Sequence, residues 1–272
     1  MGIPTLILSK NRAPQLRLLL ESLYFNATGI FTPYVCWHAN TPEFERGYQR
    51  LESEFTYARF ARETYLLDNF YNFLDYWKDE HFALFMDDCI FYKPLRLSPE
   101  ELLAEMDDDT WCLSLRLGHN VVENTKKPIT PVSENENFIK YKFKEHDAYD
   151  SYGFCFSWDG VIYKTQDVLD LLNENDFSQT DNQWAILPQK IENFTSNNRR
   201  FIKKNLMCCP KESHVVSMNY NSTHPASQFN DYPLDQLNLH YLNGGVIDLN
   251  AINFDEIKGT HESRPFAIRQ IQ

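Results

Sequence analysis

Short apolar runs alternate with amphipathic segments at the start of the chain. Pro4–Ser9 is an apolar run that ends in polar residues, and Pro33–His38 is a second run of the same kind. Pro14 lies between them and is followed by leucines, as far as Leu23, at the spacing of one helical face. Polar sequence of helical character extends over Pro42–Phe55. This pattern predicts a repeated unit of strand and helix.

A predicted central strand ends in two aspartates. A helix predicted over Asp68–Lys78 leads into Phe82–Met86, whose five apolar residues are too few for a buried helix and typical of a central strand. Asp87 and Asp88 follow directly. Alternating strands and helices predict an α/β fold with a mostly parallel central sheet flanked by helices, in which ligands bind at the carboxyl ends of the strands. The turn Ser9–Arg12 and the two aspartates should therefore lie at one edge of the sheet.

The pattern is weaker in the second half of the chain. Ser98 is predicted to cap a short helix, and Trp111–Leu117 is predicted to be a strand. Residues 119–150 are polar and lack a sustained period, which indicates a long active-site loop with a strand near Phe138–Phe143. A further helix is predicted over residues 165–174. We expect these elements to complete one compact unit.

Composition limits the class of partner. The chain has 272 residues, of which 43% are hydrophobic, and this is enough for one α/β domain with a large core. Its formal net charge of −12 argues against nucleic acid or an anionic membrane surface as the main partner, because neither would gain from Coulomb attraction. A polyphosphate ligand would then need a cation or a local basic patch.

The cysteines and the N-terminus indicate the compartment. The six cysteines form no CxxC pair and no zinc-site spacing, and several lie in apolar runs where a thiol packs as a small hydrophobe. A reducing compartment is the simpler interpretation. The sequence contains neither a signal-like leader nor an apolar stretch of membrane-spanning length. We therefore expect a soluble, cytoplasmic protein without an integral membrane segment.

The pair Asp87–Asp88 is the clearest chemical signal. Two adjacent carboxylates after a buried strand cannot both enter an apolar core, because unpaired buried charge is very costly. Mg²⁺ and Mn²⁺ bind through oxygen ligands, commonly one or two carboxylates together with substrate phosphates, which suits an acidic protein with an anionic ligand. The alternative is a turn whose acids cap a neighbouring helix or face water.

Several stretches, spread over most of the chain, together resemble the GT-A glycosyltransferases, and more closely a group of small soluble members with a Ser/Thr-x-Asn-Arg turn. The stretches are Leu6–Arg12, Leu84–Pro94, Ser114–Gly118, Ser157–Tyr163, and Leu242–Gly245 with His261. The resemblance implies a single GT-A domain over residues 1–272, with a nucleotide-sugar-binding half at 1–118 and an acceptor-binding half with a closing segment at 119–272. It also implies Mn²⁺ or Mg²⁺, a UDP- or GDP-sugar donor, and a glycan or other hydroxyl acceptor.

The metal-binding DxD motif of that family is incomplete in this chain. The third residue counted from Asp87 is Cys89 instead of an aspartate. If the motif is counted from Met86, Asp88 is its final acid. Both alignments make Asp88 the expected metal ligand, with Asp87 as a second candidate that would bind the ribose or a water.

Other positions match the family's ligand-binding residues. Ser9, Asn11 and Arg12 would contact the nucleotide base and ribose. Arg116 follows a predicted strand, and its guanidinium would bind the diphosphate or a pair of sugar hydroxyls; a salt bridge to a neighbouring acid is the alternative. His261 resembles the C-terminal histidine that many GT-A enzymes contribute to the ion. Its alternative is an ordinary surface histidine.

Transfer to a hydroxyl also needs a base, and two acids are candidates. Asp181 falls where inverting GT-A enzymes carry an acid, and we expect it to deprotonate the acceptor; otherwise it caps a short helix. Asp159 precedes Gly160 and is expected to contact the acceptor or donor sugar, with a role as the base or as a turn acid as alternatives. Among the many aromatic residues, Trp158 is expected to stack on a sugar, although most aromatic side chains belong to cores.

Three other functions share part of this chemistry. A sugar nucleotidyltransferase would carry a glycine-rich basic loop after its first strand, and Ser9–Pro14 has no glycine. A glycoside hydrolase needs two carboxyl groups about 5 to 10 Å apart, whereas adjacent acids suit a metal better. A non-catalytic carbohydrate-binding protein on the same fold is supported mainly by Cys89.

Overall fold

Helices and strands alternate along the protein, which we describe from a computed structural model. The structure describes residues 2–78, 80–174, 177, 187–218, 220 and 233–271. Within these ranges the helices α1 to α7 are Ala13–Asn26, Pro42–Glu54, Leu66–Tyr76, Pro99–Leu103, Thr165–Asn173, Leu187–Asn197 and Leu234–Leu242. The strands β1 to β14 are Ile3–Lys10, Phe31–His38, Arg59–Arg62, His81–Met86, Cys89–Phe91, Thr110–Ser114, Pro131–Glu134, Phe138–Lys142, Val161–Lys164, Leu206–Pro210, Val215–Met218, Gly245–Ile247, His261–Glu262 and Ile268–Gln270.

The predicted elements of the first hundred residues are confirmed, with ends that shift by a few residues. β1, α1, β2, α2, α3 and β4 follow in the expected order. Ser98 caps α4 as predicted: its hydroxyl accepts a hydrogen bond from the backbone N–H of Glu101, and the Glu101 carboxylate accepts one from the N–H of Ser98. The strand predicted near Phe138–Phe143 is β8.

The central sheet has nine strands in the order β3-β2-β1-β4-β9-β6-β10-β8-β7. The four strands from β3 to β4 pair in parallel, as expected. Beyond β4 the sheet is mixed: β6 and β10 pair in parallel, but β9 pairs antiparallel with both β4 and β6, and β8 pairs antiparallel with β10 and β7, so the prediction of a mostly parallel sheet is wrong for this part. The fold is therefore mixed α/β, with one sheet that takes strands from both halves of the chain.

Alternate residues of the parallel strands face two different cores. Leu8 and Leu84 pack in a cluster with Phe70 of α3, whereas Ile7 and Phe85 pack in a second cluster with the leucines of α1. This alternation is the period of a strand, and it explains why the apolar runs of β1 and β4 are continuous. The helices thus cover both faces of this part of the sheet.

A small second sheet lies beside the carboxyl end of β4. It contains β13, β11 and β5 in that order, and β5 begins at Cys89, directly after the two aspartates. Ser217 of β11 pairs with Cys89 on one side and with His261 on the other. Three residues from distant parts of the sequence are therefore held side by side.

Two further expectations concern the cysteines and the membrane. All six cysteines are buried free thiols, which agrees with their packing as small hydrophobes. Within the described ranges, no helix has the length and apolar character needed to cross a membrane.

Candidate active site

The ends of β1 and β4 form the edge at which the predicted residues meet. The two strands are parallel neighbours, with Leu8 opposite Met86. The backbone N–H of Asp87 extends this pairing and donates to the carbonyl oxygen of Leu8 over 3.1 Å. The turn after β1 and the Asp87–Asp88 turn after β4 therefore lie together, as the sequence predicts.

Asp87 lies behind this edge and not on its surface. Its carboxylate accepts a hydrogen bond of 2.7 Å from Arg12 Nη1 and one of 2.8 Å from Ser9 Oγ. Asp87 is only 2% exposed, and Ser9, which also hydrogen-bonds to the hydroxyl of Tyr48, is fully buried. Both side chains are therefore used in a buried network, and a contact of Ser9 or Asp87 with the nucleotide or the metal stays a prediction.

Asn11 also has a local structural role. Its φ angle of 58° is in the left-handed region, which asparagine adopts more readily than most residues. The side-chain oxygen of Asn11 accepts a hydrogen bond of 2.8 Å from the backbone N–H of Asn40, which follows β2. Asn11 thus ties the ends of β1 and β2 together at the edge where a nucleotide was expected.

Asp88 is the more accessible member of the pair. Its side chain is 19% exposed, and its Oδ2 lies 3.2 Å from Arg12 Nη1. Burial raises the pKa of Asp88 to about 6; the neighbouring carboxylates Asp159 and Asp87 add to this shift, and Arg12 opposes it. Because this pKa of about 6 still leaves Asp88 mostly ionised at neutral pH, its partly exposed carboxylate can bind a cation, whose charge would offset the neighbouring acids.

Asp159 reaches the same place from a different part of the fold. It precedes Gly160, whose φ of 65° is in the left-handed region and where a Cβ would come within 3.0 Å of Val215 Cγ1. The N–H of Gly160 donates to the carbonyl oxygen of Leu84 in β4, and this bond fixes the turn before β9. The turn therefore places Asp159 close to Asp88.

Arg116 forms the salt bridge that was its alternative assignment. Its Nη1 lies 2.9 Å from Asp159 Oδ2, and its Nη2 donates to Ser157 Oγ over 2.6 Å. Burial acts to raise the pKa of Asp159, but Arg116 and His261 outweigh it and lower the pKa to about 2. Asp159 is therefore a carboxylate at any pH near neutrality. Arg116 Nε is buried and has no hydrogen-bond partner among the described residues.

His261 lies at the rim of the site. Its Nε2 is 3.6 Å from Asp159 Oδ2, and its Nδ1 is 3.2 Å from the hydroxyl of Thr260. The side chain is 47% exposed. The pairing of β13 with β11 thus orients one ring nitrogen towards the carboxylates.

The carboxylates can hold a divalent cation. Ligand atoms of Asp88, Cys89 and Asp159 all lie within 4.8 Å of one another. Burial, together with the charges of Asp159 and Asp88, raises the pKa of the Cys89 thiol well above its ordinary value, so the sulfur stays protonated and is a poor ligand. Two carboxylates and a nearby imidazole fit Mg²⁺ or Mn²⁺, provided that substrate phosphates complete the coordination.

Trp158 does not belong to this group. Trp158 is 1% exposed, packs on Phe70 with ring centroids 4.8 Å apart, and donates from Nε1 to the carbonyl oxygen of Pro188. The expectation that Trp158 stacks on a sugar is therefore wrong, because this ring belongs to the core. Asp181 lies outside the described residues.

A cavity of about 290 Å³ opens beside Arg116 and Asp159. Its lining includes residues that the sequence analysis missed, among them Tyr149, Asp150 and Glu192. Burial raises the pKa of Glu192 to about 8, and the charge of Asp159 adds to the effect. The signal in the sequence for Tyr149 and Asp150 was the polar stretch 119–150, which was interpreted as a long active-site loop. Glu192 gave none, because a single glutamate on an amphipathic helix is usually a surface residue.

Comparison with known proteins supports the fold. No family model and no curated protein matches the chain. Among solved structures, S. aureus TarS 1–349 in complex with UDP matches with a TM-score of 0.50 and 13% identity, over 79% of this chain and 60% of that chain. TarS 1–349 alone matches with a TM-score of 0.49 and 13% identity, over 80% and 61%. The longer TarS chain matches with a TM-score of 0.48 and 13% identity, over 80% of this chain and 36% of that one.

This chain therefore spans less than two thirds of the TarS chains that it matches. At 13% identity, the likeness to the UDP complex concerns the fold alone. The match is consistent with the mixed α/β fold of this chain, in which helices flank a large central sheet.

Proposed function

We infer that this protein is a GT-A glycosyltransferase that moves a sugar from a nucleotide-diphosphate sugar to a glycan or other hydroxyl acceptor with the help of Mn²⁺ or Mg²⁺. The observation that carries this inference is the convergence of Asp88 and Asp159. The two carboxylates follow β4 and precede β9, and they meet at the edge of the sheet where α/β proteins bind their ligands.

The assignment of the metal ligands follows from accessibility. Asp88 and Asp159 would bind the ion, and His261 would complete the protein's contribution from the rim. When bound, a divalent cation supplies positive charge that stabilises the departing diphosphate. Asp87 and Arg12 hold Asp88 in place from behind, because Arg12 contacts both aspartates.

Arg116 has a positioning role in this account. Its two terminal nitrogens bind Asp159 and Ser157, so they hold the Asp159 carboxylate towards Asp88. The remaining N–H at Nε can donate to a phosphate or sugar oxygen. A guanidinium suits this double role because its donors have a fixed planar geometry.

The donor and the base are further parts of the proposal. UDP is the first nucleotide to test, because the TarS structure that this fold resembles holds UDP. Asp181 remains the proposed base of an inverting reaction, in which it would take the proton of the attacking hydroxyl. Asp181→Asn should then abolish transfer and leave UDP binding unchanged; undiminished turnover would exclude that role.

Titration calorimetry with UDP, with and without Mn²⁺, tests the proposed function. We expect binding that depends on the metal, and we expect Asp88→Asn to weaken it at least tenfold, because an ionised ligand is lost. Asp108→Asn is the matched control, since Asp108 is fully exposed and its ion pair with Lys164 is long, at 4.0 Å. Equal UDP affinity with and without metal, or no effect of Asp88→Asn, would contradict the proposal.

A second candidate is a non-catalytic carbohydrate-binding protein. It is favoured by the two arginines, because Arg12 and Arg116 already neutralise Asp88 and Asp159, and by the protonated thiol of Cys89 in the motif. The same calorimetry separates the two functions. Metal-independent sugar binding by a protein without affinity for UDP or GDP would favour this second candidate.

A further inference from the structure

The cavity beside Asp159 has the composition of a carbohydrate site. We propose that it binds the acceptor, and that the acceptor is an uncharged, hydroxyl-bearing ring that stacks on Tyr149 and hydrogen-bonds to Asp150 and Glu192. This inference rests on the proposed function, since it names the substrate of the same site. Three observations support it: the exposed ring of Tyr149, a buried oxygen of Asp150 without a hydrogen-bond partner among the described residues, and the acidic lining of the cavity.

Tyr149 supplies a stacking surface at the mouth of the cavity. The side chain lines the cavity and is 58% exposed, so the ring is accessible to a ligand. Its hydroxyl donates to the side-chain oxygen of Asn197 over 2.8 Å, so the ring is held in position before any ligand arrives. A fixed aromatic ring offers a large contact area at a low cost in conformational entropy. Tyr149 thus takes the role that the sequence assigned to Trp158.

Asp150 provides a buried acceptor that no described residue satisfies. It lines the cavity and is 4% exposed. Its Oδ1 accepts hydrogen bonds of 2.8 Å from the backbone N–H groups of Tyr152 and Gly153, whereas its Oδ2 has no hydrogen-bond partner in the described part of the chain. His146 Nδ1 lies 3.8 Å from that oxygen, beyond hydrogen-bond distance. A buried acceptor without a donor is costly, and a ligand hydroxyl would satisfy it.

Glu192 adds a second carboxyl group on the side of α6. Its Oε1 accepts a hydrogen bond of 3.3 Å from the backbone N–H of Trp158, next to Asp159. This bond anchors one oxygen and leaves the other for a ligand that lies against Asp159. The cavity is therefore lined by carboxyl groups from several parts of the fold, and carboxyl oxygens accept hydrogen bonds from the hydroxyl groups of a neutral ligand.

The charge of the lining excludes anionic acceptors. Asp150, Asp159 and Glu192 all line the cavity, and Glu192 is mostly an uncharged acid at neutral pH because burial raises its pKa to about 8. Arg116 is the only arginine or lysine among the described lining residues and already pairs with Asp159. A phosphate or carboxylate on the acceptor would therefore face the carboxylate of Asp150 without a free arginine or lysine, which is unfavourable in a partly desolvated site. A neutral acceptor avoids this repulsion.

The volume limits the size of the bound group. A cavity of about 290 Å³ lies at the lower end of the range for small-molecule sites, which is roughly 300 to 1,000 Å³. It accommodates one sugar or polyol unit inside, and the rest of a longer acceptor would extend past Tyr149 into solvent.

The test measures binding of uncharged and phosphorylated sugars to the whole protein. The probes are the methyl glycosides of glucose, galactose, mannose and N-acetylglucosamine, with glucose 6-phosphate and galactose 6-phosphate as anionic counterparts, followed by saturation-transfer NMR with and without UDP and Mn²⁺. We expect at least one methyl glycoside to bind and the phosphates to bind more weakly. Tyr149→Ala should weaken glycoside binding roughly tenfold, and Tyr149→Phe should largely retain it.

Tyr76→Ala is the matched control. Tyr76 is 73% exposed and lies on α3, outside the cavity lining, so this change should leave glycoside binding as in the unaltered protein. UDP calorimetry on the same samples separates the two proposals. If UDP binds with Mn²⁺ but no glycoside binds at millimolar concentration, or if Tyr149→Ala has no effect, the acceptor site is refuted and the transferase proposal stands. Tighter binding of the sugar phosphates would also refute it. Glycoside binding that needs Tyr149, in a protein that binds no nucleotide, would support the sugar site and overturn the transferase.

Discussion

Replacement of Asp87 and Asp88, one at a time, by asparagine should show which carboxylate stabilises the fold and which one binds the metal. Asp87→Asn removes the charge that Arg12 Nη1 contacts at 2.7 Å, and Arg12 is itself only 6% exposed. Loss of one partner of a buried ion pair costs about 3 to 5 kcal/mol. Because Asp88 remains 3.2 Å from Arg12, we expect a loss at the lower end, about 3 kcal/mol. For a chain of this size, that corresponds to a melting temperature lower by about 6 to 12 °C.

Asp88→Asn should behave differently. Asp88 is partly exposed, its contact with Arg12 is longer at 3.2 Å, and Arg12 keeps its contact with Asp87, so removal of its charge should change the free energy of unfolding by at most about 1 kcal/mol. The same change should weaken metal-dependent UDP binding at least tenfold. Urea denaturation followed by circular dichroism at pH 7 gives both free energies of unfolding, and Asp108→Asn is the exposed control, expected within about 0.5 kcal/mol of the parent protein. Equal stability of the two variants, or a larger loss for Asp88→Asn, would refute this division of roles.

Three other changes test particular parts of the structure. Trp158→Ala should lower the free energy of unfolding by about 3 to 5 kcal/mol in urea denaturation, because a core ring is removed; a stable variant with weakened sugar binding would restore its predicted ligand role. Glu192→Gln should change the pH dependence of stability. Because the pKa of Glu192 is raised from 4.5 to about 8 by folding, its protonated carboxyl group contributes stability that is fully present below pH 4.5 and is lost as the pH rises to about 8. The unfolding free energy of the parent should fall relative to the variant, by at most about 1.4 kcal/mol per pH unit over that range, and parallel curves would contradict the burial of this carboxyl group. Gly160→Ala should destabilise the protein by about 1 to 2 kcal/mol in thermal denaturation, because a left-handed φ of 65° disfavours any residue with a Cβ; an unchanged melting temperature would show that the turn adapts.

The part of the fold that the sequence predicted correctly has local patterns. β1, α1, β2 and α2 each carry their own hydrophobic period, so their order and approximate ends follow from short windows of sequence. The insertion of β9 between β4 and β6 has no such signal, because it depends on pairings between strands far apart in the chain. For the same reason, a mostly parallel sheet was expected where the structure has a mixed one.

The small sheet of β5, β11 and β13 was not predicted for a similar reason. Its strands have only three, four and two residues, too few to show a period of two. It nevertheless decides which residues meet, because Cys89, Ser217 and His261 are register partners. The resemblance to a family identified His261, but its neighbours in space could come only from the structure.

The sequence predicted which residues belong to the site better than it predicted which of them are accessible to a ligand. Asp88, Asp159 and Arg116 were named as candidates, and the structure brings them together. The distinction between Asp87 and Asp88 was visible only in part, because the partner that buries Asp87 is Arg12, on a turn 75 residues earlier. A lone tryptophan gives no indication of whether it faces the core or a ligand, and Trp158 was accordingly misassigned.

A crystal structure with UDP and Mn²⁺, with the metal located by its anomalous scattering, tests the central proposal most directly. We expect one Mn²⁺ bound by carboxylate oxygens of both Asp88 and Asp159 at roughly 2.0 to 2.2 Å, with diphosphate oxygens of UDP among its other ligands. Bound UDP without an ion between the diphosphate and these carboxylates, or an ion bound elsewhere while Arg12 and Arg116 keep their ion pairs with Asp88 and Asp159, would contradict the proposal.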